Sequence, residues 1–280
     1  MRVKQPQYIS VSRRTDIPRF YHRAFFSAWQ EGSITYDGGY GRAYTVSLRQ
    51  ADVLGYIFWS KDFSLFIEDA RFKALVAANN AVFHFTINHS PALEPRLAPL
   101  EKRLDTMARL CDLVGPVRVS WRFDPLCKYT RGSNGRQDNV AAFFILLPFM
   151  EKMGISRCYF SFMAPYAKLK QRDISFLDFE PREQIAIAKK MQFAAKEARI
   201  TLYNCSNGEL IENVPEIHAA RCVDNDLLEQ TDRFHRHLRL KTKPTRKHCG
   251  CYESRDIGSY LQKCPHGCLY CYANPCMEQG

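Results

Sequence analysis

The 280-residue chain is 46% hydrophobic and 25% charged, a balance that fits a globular protein with a sizeable core and excludes a disordered one. Its 40 lysines and arginines against 29 aspartates and glutamates leave a net charge of +11, a field that draws anions such as nucleic acid, nucleotides or acidic substrates. No stretch approaches the roughly 18 apolar residues a membrane span needs, and Met1-Arg2-Val3-Lys4-Gln5-Pro6 carries no apolar leader, so a cytoplasmic protein with no membrane partner is expected.

Taken in chain order, short β-branched and aromatic runs alternate with longer amphipathic segments. They predict a strand at residues 8–12, a helix at 20–30, a strand at 54–60, a helix at 65–79 and a strand at 81–88. A helix follows at 97–113, a strand at 117–123, a helix at 139–153 and a strand at 157–164. The last pair is a helix at 181–199, with Pro181 in its first turn, and a strand at 200–205. Residues 130–137, with two glycines, read as a polar loop. Six strands joined by helical crossovers predict a parallel α/β fold, a full or partial (β/α) barrel over residues 1–205, with a doubly wound open sheet as the alternative. Beyond Cys205 the pattern breaks into short elements, predicting a cysteine-rich cap over residues 206–280 that completes the barrel.

In such folds ligands meet the carboxyl ends of the strands. Charged residues stand there: Arg13, Arg14 and Asp16 after the first strand, Lys61 after the second, Arg122 and Asp124 at the end of the fourth, and Lys168 after the fifth. Cations converging with carboxylates suit a zwitterionic or phosphate-bearing ligand. Trp59 and Trp121 are expected as core or rim aromatics. The basic run from Arg233 to Lys247 reads either as a solvated linker or as a polyanion contact.

Eleven cysteines in a reducing compartment point to metal ligation and packing more than to disulfides. Cys264, Cys268 and Cys271 are spaced C-x3-C-x2-C, and three thiolates on one tight loop can hold three irons of a cubane cluster while leaving the fourth iron open. Cys205, Cys222, Cys249 and Cys251 are enough to close a second cluster or a structural tetrahedral zinc site. His248 and His266 flank these thiols. Cys111, Cys127 and Cys158 fall in element positions where free cysteine packs as a small hydrophobe, and Cys276 is unassigned.

Together the motifs Ser10-Val11-Ser12-Arg13-Arg14-Thr15-Asp16-Ile17-Pro18, Phe58-Trp59-Ser60-Lys61-Asp62, Trp121-Arg122-Phe123-Asp124-Pro125, Cys222-Val223-Asp224, Cys249-Gly250-Cys251, Asp256-Ile257-Gly258 and Tyr272-Ala273-Asn274 resemble the bacterial DUF1848 family, whose activity is unknown. The loop Cys264–Tyr272, with Tyr270 directly before its third cysteine, also resembles the cluster loop of radical S-adenosylmethionine (radical SAM) enzymes, most closely the spore photoproduct lyase branch. That resemblance implies a 4Fe-4S cluster on Cys264, Cys268 and Cys271, SAM on its open iron, an external electron donor and 5′-deoxyadenosyl radical chemistry. Under that hypothesis the strand-end residues take roles by their position: SAM contacts from Arg13, Arg14 and Asp16, with Tyr270 of the loop, and catalytic roles for Lys61, Arg122, Asp124 and Lys168. The resemblance suggests a nucleic-acid base, nucleotide or other anion as substrate, with an auxiliary cluster on the second cysteine set. In that superfamily the loop follows the first barrel strand, whereas here only nine residues follow Cys271. A circularly permuted barrel reconciles the two, with residues 256–261 as the feeding strand and 8–12 as its neighbour. No Gly-Gly-Glu run of the kind that holds the SAM amino group is found; Gly38-Gly39-Tyr40 is a poor substitute. Two other classes keep the same cysteines: a zinc-binding nucleic-acid-binding protein, and an iron–sulfur electron-transfer protein without SAM chemistry.

Overall fold

The central strands are buried along nearly their whole length, and they build one sheet with two unlike faces. The computed structural model describes residues 5–38, 42–164, 166–236, 240–244, 248–273 and 275–277. Its strands are β1 (Gln7–Val11), β2 (Ser33–Asp37), β3 (Ala43–Ser47), β4 (Val53–Ser60), β5 (Ala81–Thr86), β6 (Val119–Leu126) and β7 (Lys128–Arg131). They continue with β8 (Asn134–Asp138), β9 (Arg157–Phe162), β10 (Ser175–Leu177), β11 (Thr201–Asn204), β12 (His218–Ala219) and β13 (Arg255–Asp256). The helices are α1 (Ile17–Phe20), α2 (His22–Glu31), α3 (Ser64–Glu68), α4 (Phe72–Ala78) and α5 (Leu100–Val114), then α6 (Val140–Lys152), α7 (Pro181–Glu197), α8 (Gly208–Asn213) and α9 (Asn225–Thr231).

Eight strands form one parallel sheet in the order β12-β11-β9-β6-β5-β4-β1-β13. The order follows the sequence except that the last strand lies beside the first. No ladder joins β12 to β13 among the described residues, so the sheet is open there. All six expected strands are present, and the C-terminal segment adds β12 and β13. The strand expected at 256–261 is only Arg255–Asp256, paired with Ile9 and Ser10. Its anchor is the Asp256 carboxylate, which accepts from Ser10 Oγ (3.0 Å), Ser12 Oγ (2.8 Å), Arg13 N (2.9 Å) and Gly258 N (3.0 Å). A Cβ at position 258 would stand 1.9 Å from Ser12 Oγ, so only glycine fits there.

Successive side chains of a strand point to opposite faces. One face (Ile9, Val11, Tyr56, Phe58, Phe83, Phe85, Trp121, Phe123 and Phe160) is apolar and packs against helices α1 to α8 through residues such as Phe25, Phe66, Met107, Phe143 and Met191. The other face mixes Tyr8, Ile57, Val82 and Tyr159 with Ser10, Trp59, His84, Arg122, Asp124 and Ser161, and Ala220, Cys222, Val223, Leu227, Leu228, Cys249 and Cys251 cover part of it. Helices thus layer one face and the C-terminal segment the other, which departs from the doubly wound alternative. Trp121 is fully buried, and Trp59 is half-buried with its Nε1 donating to Ser10 Oγ (3.0 Å).

Two local expectations change, and one hairpin is new. The helix expected at 65–79 splits into α3 and α4 because the Asp69 carboxylate accepts from Arg71 N (3.0 Å) and Arg71 Nε (2.8 Å), a turn that competes with helix continuation. The polar loop at 130–137 is the antiparallel hairpin β7–β8, to which β10 adds a third strand. A second hairpin, β2–β3, carries a cross-strand Thr35–Thr45 hydroxyl pair at 2.8 Å. Gly39 and Tyr40 of the 38–40 run, and residues 237–239 and 245–247 of the basic run, lie outside the described residues.

One cation of the basic run serves the fold. Arg236 donates to the carbonyls of Val53 (2.8 Å) and Leu54 (2.7 Å) at the start of β4 and pairs with Asp232 at 3.1 Å. Burial pushes the Asp232 carboxyl up, but hydrogen bonds from Arg236 and from the backbone of Arg236 and Phe234 more than offset this and hold it below its usual range. A carboxyl depressed on folding stabilises the fold above the unfolded value of about 3.9, and that contribution is lost as pH falls through the folded value. Asp232→Asn should therefore lower the urea midpoint at pH 7 and flatten the loss of stability below about pH 4 relative to wild type. An unchanged acid limb would show that this pair does not couple to folding.

Candidate functional site

The loops leaving β1, β4, β5, β6 and β9 converge on the C-terminal cysteine loop. Asp16, after β1, is 7% exposed; one of its oxygens accepts from Ser60 Oγ (2.7 Å) and Arg19 N (3.0 Å), the other from Lys61 N (2.9 Å). His266 Nε2 lies 2.9 Å from that second oxygen. Asp16 is thus committed to joining two strand ends to the cysteine loop.

Lys61 lies deeper. Its ammonium sits 2.6 Å from Glu94 Oε1 and 2.6 Å from the Tyr270 hydroxyl, which also bonds Glu94 and accepts from Asn88 Nδ2 at 3.0 Å. Arg103 approaches the other Glu94 oxygen at 3.9 Å. Burial pulls the Lys61 ammonium down, but Glu94 holds it above its usual range; burial pushes the Glu94 carboxyl up, but Lys61 and Arg103 hold it below its own. Both are charged, and the pair pins the residue that precedes the third cysteine of the loop.

The loop is fastened by its carbonyls as well. Arg172 donates to the carbonyls of Cys268 (3.2 Å), Leu269 and Cys271 (2.7 Å), and Lys168 to that of Ala273 (3.0 Å). Leu269 N donates to Leu93 O at 2.8 Å, and the Tyr272 hydroxyl to Arg13 O at 2.8 Å. Arg14 Nη1 reaches Gly258 O at 2.9 Å, and Arg13 Nε stands 3.6 Å from Asp256. Cys268 is buried; Cys264 and Cys271 are half-buried. Burial, then Asp16 and the neighbouring Cys271, lift the Cys264 thiol to about 12; burial likewise raises Cys268 and Cys271. Bare thiolates are disfavoured here, so a bound cation would have to carry their ionisation.

The Arg122 guanidinium bonds Asp124, donates Nη1–H to Cys222 Sγ at 3.3 Å and lies 5.2 Å above the Trp59 ring. Ser161 Oγ donates to the other Asp124 oxygen. Asp124 N donates to Asn88 Oδ1 (2.9 Å), and Asn88 Nδ2 to Asp124 O (3.0 Å), so one hydrogen-bonded chain runs from Tyr270 through Asn88, Asp124 and Arg122 to Cys222. Cys222, Cys249 and Cys251 are buried in one cluster, with Cys205 packed against it. The structure therefore gathers each cysteine set separately. Among the described residues, no three His, Cys, Asp or Glu side chains already stand in a metal-holding arrangement. In donor chemistry the terminal loop still fits a thiolate-held group: three sulfurs within eight residues, with Lys61, Lys168 and Arg172 close enough to shift Cys271.

Each strand-end residue named from the sequence lies at this end of the sheet, with Lys61, Lys168, Asp16 and Tyr270 bonded within or to the cysteine loop. Sequence reading missed Glu94, Arg103 and Arg172, and noted Asn88 only as the polar end of a predicted strand, without a role. Glu94 and Arg172 sit in irregular loops with no local pattern. His266, flagged only as a flanking residue, is buried. Cys111, Cys127 and Cys158 are buried as expected, with Cys127 in the same apolar cluster as Cys268.

Removing Glu94 strands a buried ammonium, a loss of about 3–5 kcal/mol for a broken buried pair. Glu94→Ala should lower the denaturant midpoint accordingly and increase hydrogen exchange at residues 264–273, with Glu94→Gln between it and wild type. A change within about 0.5 kcal/mol would remove this pair from the role assigned to it.

No curated protein matches the chain. Among solved structures, Streptococcus suis SuiB bound to S-adenosylmethionine is 9% identical with a TM-score of 0.33, over 78% of this chain and 54% of SuiB. SuiB bound to precursor peptide SuiA is 10% identical with a TM-score of 0.31, over 76% and 52%. The chain spans about half of SuiB's length, and at this identity and TM-score the likeness establishes no shared function. The family model for the domain of unknown function DUF1848 matches residues 8–273, nearly the whole chain, and the protein belongs to the DUF1848 family.

Proposed function

We propose that this protein is an iron–sulfur enzyme of radical SAM type, with Cys264, Cys268 and Cys271 as the ligands of a 4Fe-4S cluster. The observation that carries this reading is the docking of a three-thiol loop onto the carboxyl ends of parallel strands, through Tyr270, Arg172 and Lys168. With SAM on its open iron and an external electron donor, such a cluster supplies reductive cleavage of the sulfonium. The chain's part is to hold and shield. Lys61 and Arg172 offset the negative charge of a thiolate-held group, and the Lys61–Glu94–Tyr270 contact fixes the direction in which the loop opens. Arg13 and Arg14, beside the loop at the end of β1, are the residues proposed to meet the SAM carboxylate. A nucleotide or other anion is the proposed substrate class, drawn by the +11 charge.

In this reading the sheet is a permuted partial barrel: β13 leads into the cysteine loop and lies beside β1, so the strand that feeds the cluster follows the others in sequence. Residues 206–280 then extend the partial barrel begun by residues 1–205 with its two edge strands, β12 and β13, which no ladder joins among the described residues.

Protein prepared and reconstituted without oxygen should carry about four irons and four sulfides on this loop. It should convert SAM to 5′-deoxyadenosine and methionine when reduced by dithionite. Cys268→Ala should lose those irons and the cleavage together. Bound iron with no SAM cleavage would leave an electron-transfer protein, and zinc with no visible chromophore a thiol-stapled nucleic-acid binder; either result contradicts the proposal.

A further inference from the structure

We infer that Cys205, Cys222, Cys249 and Cys251 form a separate four-thiolate metal site, with Arg122 as its buried counter-cation. The inference stands apart from the reading of the terminal loop, because it uses different residues and a different region of the sheet.

The four sulfurs come from three distant stretches: the residue after β11, the turn after β12, and the Cys249-Gly250-Cys251 turn. They nonetheless meet: Cys222, Cys249 and Cys251 are buried in one cluster with Cys205 packed against it, although the four do not yet stand in a metal-holding arrangement. Among its described residues, the segment that carries three of them has little regular structure: the two-residue β12, the two-turn α9, one bridge between Thr242 and Tyr252, and single backbone bonds such as Tyr252 N to Val223 O (3.1 Å) and Lys243 N to Cys251 O (2.8 Å). It must still cover the half-polar face of the sheet. Covering a polar surface with so few ladder bonds is the situation in which a metal contributes folding free energy directly.

Arg122 supplies the second, independent observation. Its side chain is 12% exposed, already pairs with Asp124, and still directs an N–H to Cys222 Sγ at 3.3 Å. A neutral thiol is a weak acceptor, whereas a thiolate draws a guanidinium strongly. Four thiolates around one divalent cation carry net negative charge, which a buried guanidinium offsets. On binding, each cysteine loses its S–H proton to solvent and gives a sulfur lone pair to the metal, so a metal–sulfur bond replaces each S–H bond and no electron is transferred. Zinc binds in this way, and so does a cluster delivered with its irons and sulfides already assembled, which adds only the iron–thiolate bonds.

The test uses the full chain with Cys264, Cys268 and Cys271 all changed to Ser, so that only the second set is left to respond. Titrated anaerobically with cobalt(II), this variant should bind one equivalent, with the intense visible and charge-transfer bands of tetrahedral thiolate coordination; added Cys222→Ala and Cys251→Ala should abolish them. Metal analysis of the same variant as purified separates the sources: one zinc and no visible band, or about four irons with a broad visible band, each supporting the site. Arg122→Gln should weaken cobalt binding at least tenfold, and Arg122→Lys less. Should the variant fold poorly, alkylation mapped by mass spectrometry on the wild-type protein replaces it, and all four thiols should be protected until a chelator is added. Cobalt bound without thiolate bands, or four thiols that alkylate freely before and after chelation, would overturn the inference.

Discussion

A buried ammonium needs a partner, and the Lys61–Glu94 pair meets that need at the point where the two ends of the chain are joined. Lys61 follows β4, Glu94 follows β5, and the hydroxyl they share belongs to Tyr270, more than 170 residues further on. Taking either charge away leaves the other in a low-dielectric pocket at a cost of several kcal/mol. The contact is therefore stringent about position, and it fixes where the terminal cysteine loop can lie. Asp16 repeats the arrangement one strand away, and Asp256 does so between the last strand and the first.

These carboxylates account for how so short a C-terminal strand is held. Two ladder positions between β13 and β1 would be a weak attachment. Four hydrogen bonds to one carboxylate, with Gly258 admitting the Ser12 side chain, replace a longer ladder. The two faces of the sheet set the rest. An all-apolar face takes the helices, and a face bearing His84, Arg122, Asp124 and Ser161 takes a covering of loops and thiols, because buried polar groups need partners that a helix's apolar stripe cannot give.

The large apolar and β-branched strands were legible because burial on the helical face leaves hydrophobic runs in the sequence, as in Val53–Ser60. Their carboxyl-end residues were legible because Arg13, Lys61 and Arg122 directly follow or end such runs. The two-residue strands β12 and β13 carry no pattern of their own; their pairing comes from Asp256 and from tertiary contacts. The hairpin β7–β8 was missed because its glycines suggest a loop while cross-strand pairing decides the structure. The cysteine spacing marked the terminal loop, but what holds it was hidden: Glu94 and Arg172 act across long sequence distances, and several residues expected at a ligand also fasten the loop. Asp16, expected to meet a cofactor, has four protein neighbours.

The central claim is that the terminal loop presents three thiolates and leaves one iron open to SAM. Electron paramagnetic resonance of the reduced protein, with and without SAM carrying ¹⁵N in its amino group, tests it most directly. A signal that shifts on adding SAM and gains nitrogen coupling is predicted. A reduced-cluster signal indifferent to SAM, or no cluster signal at all, would contradict it.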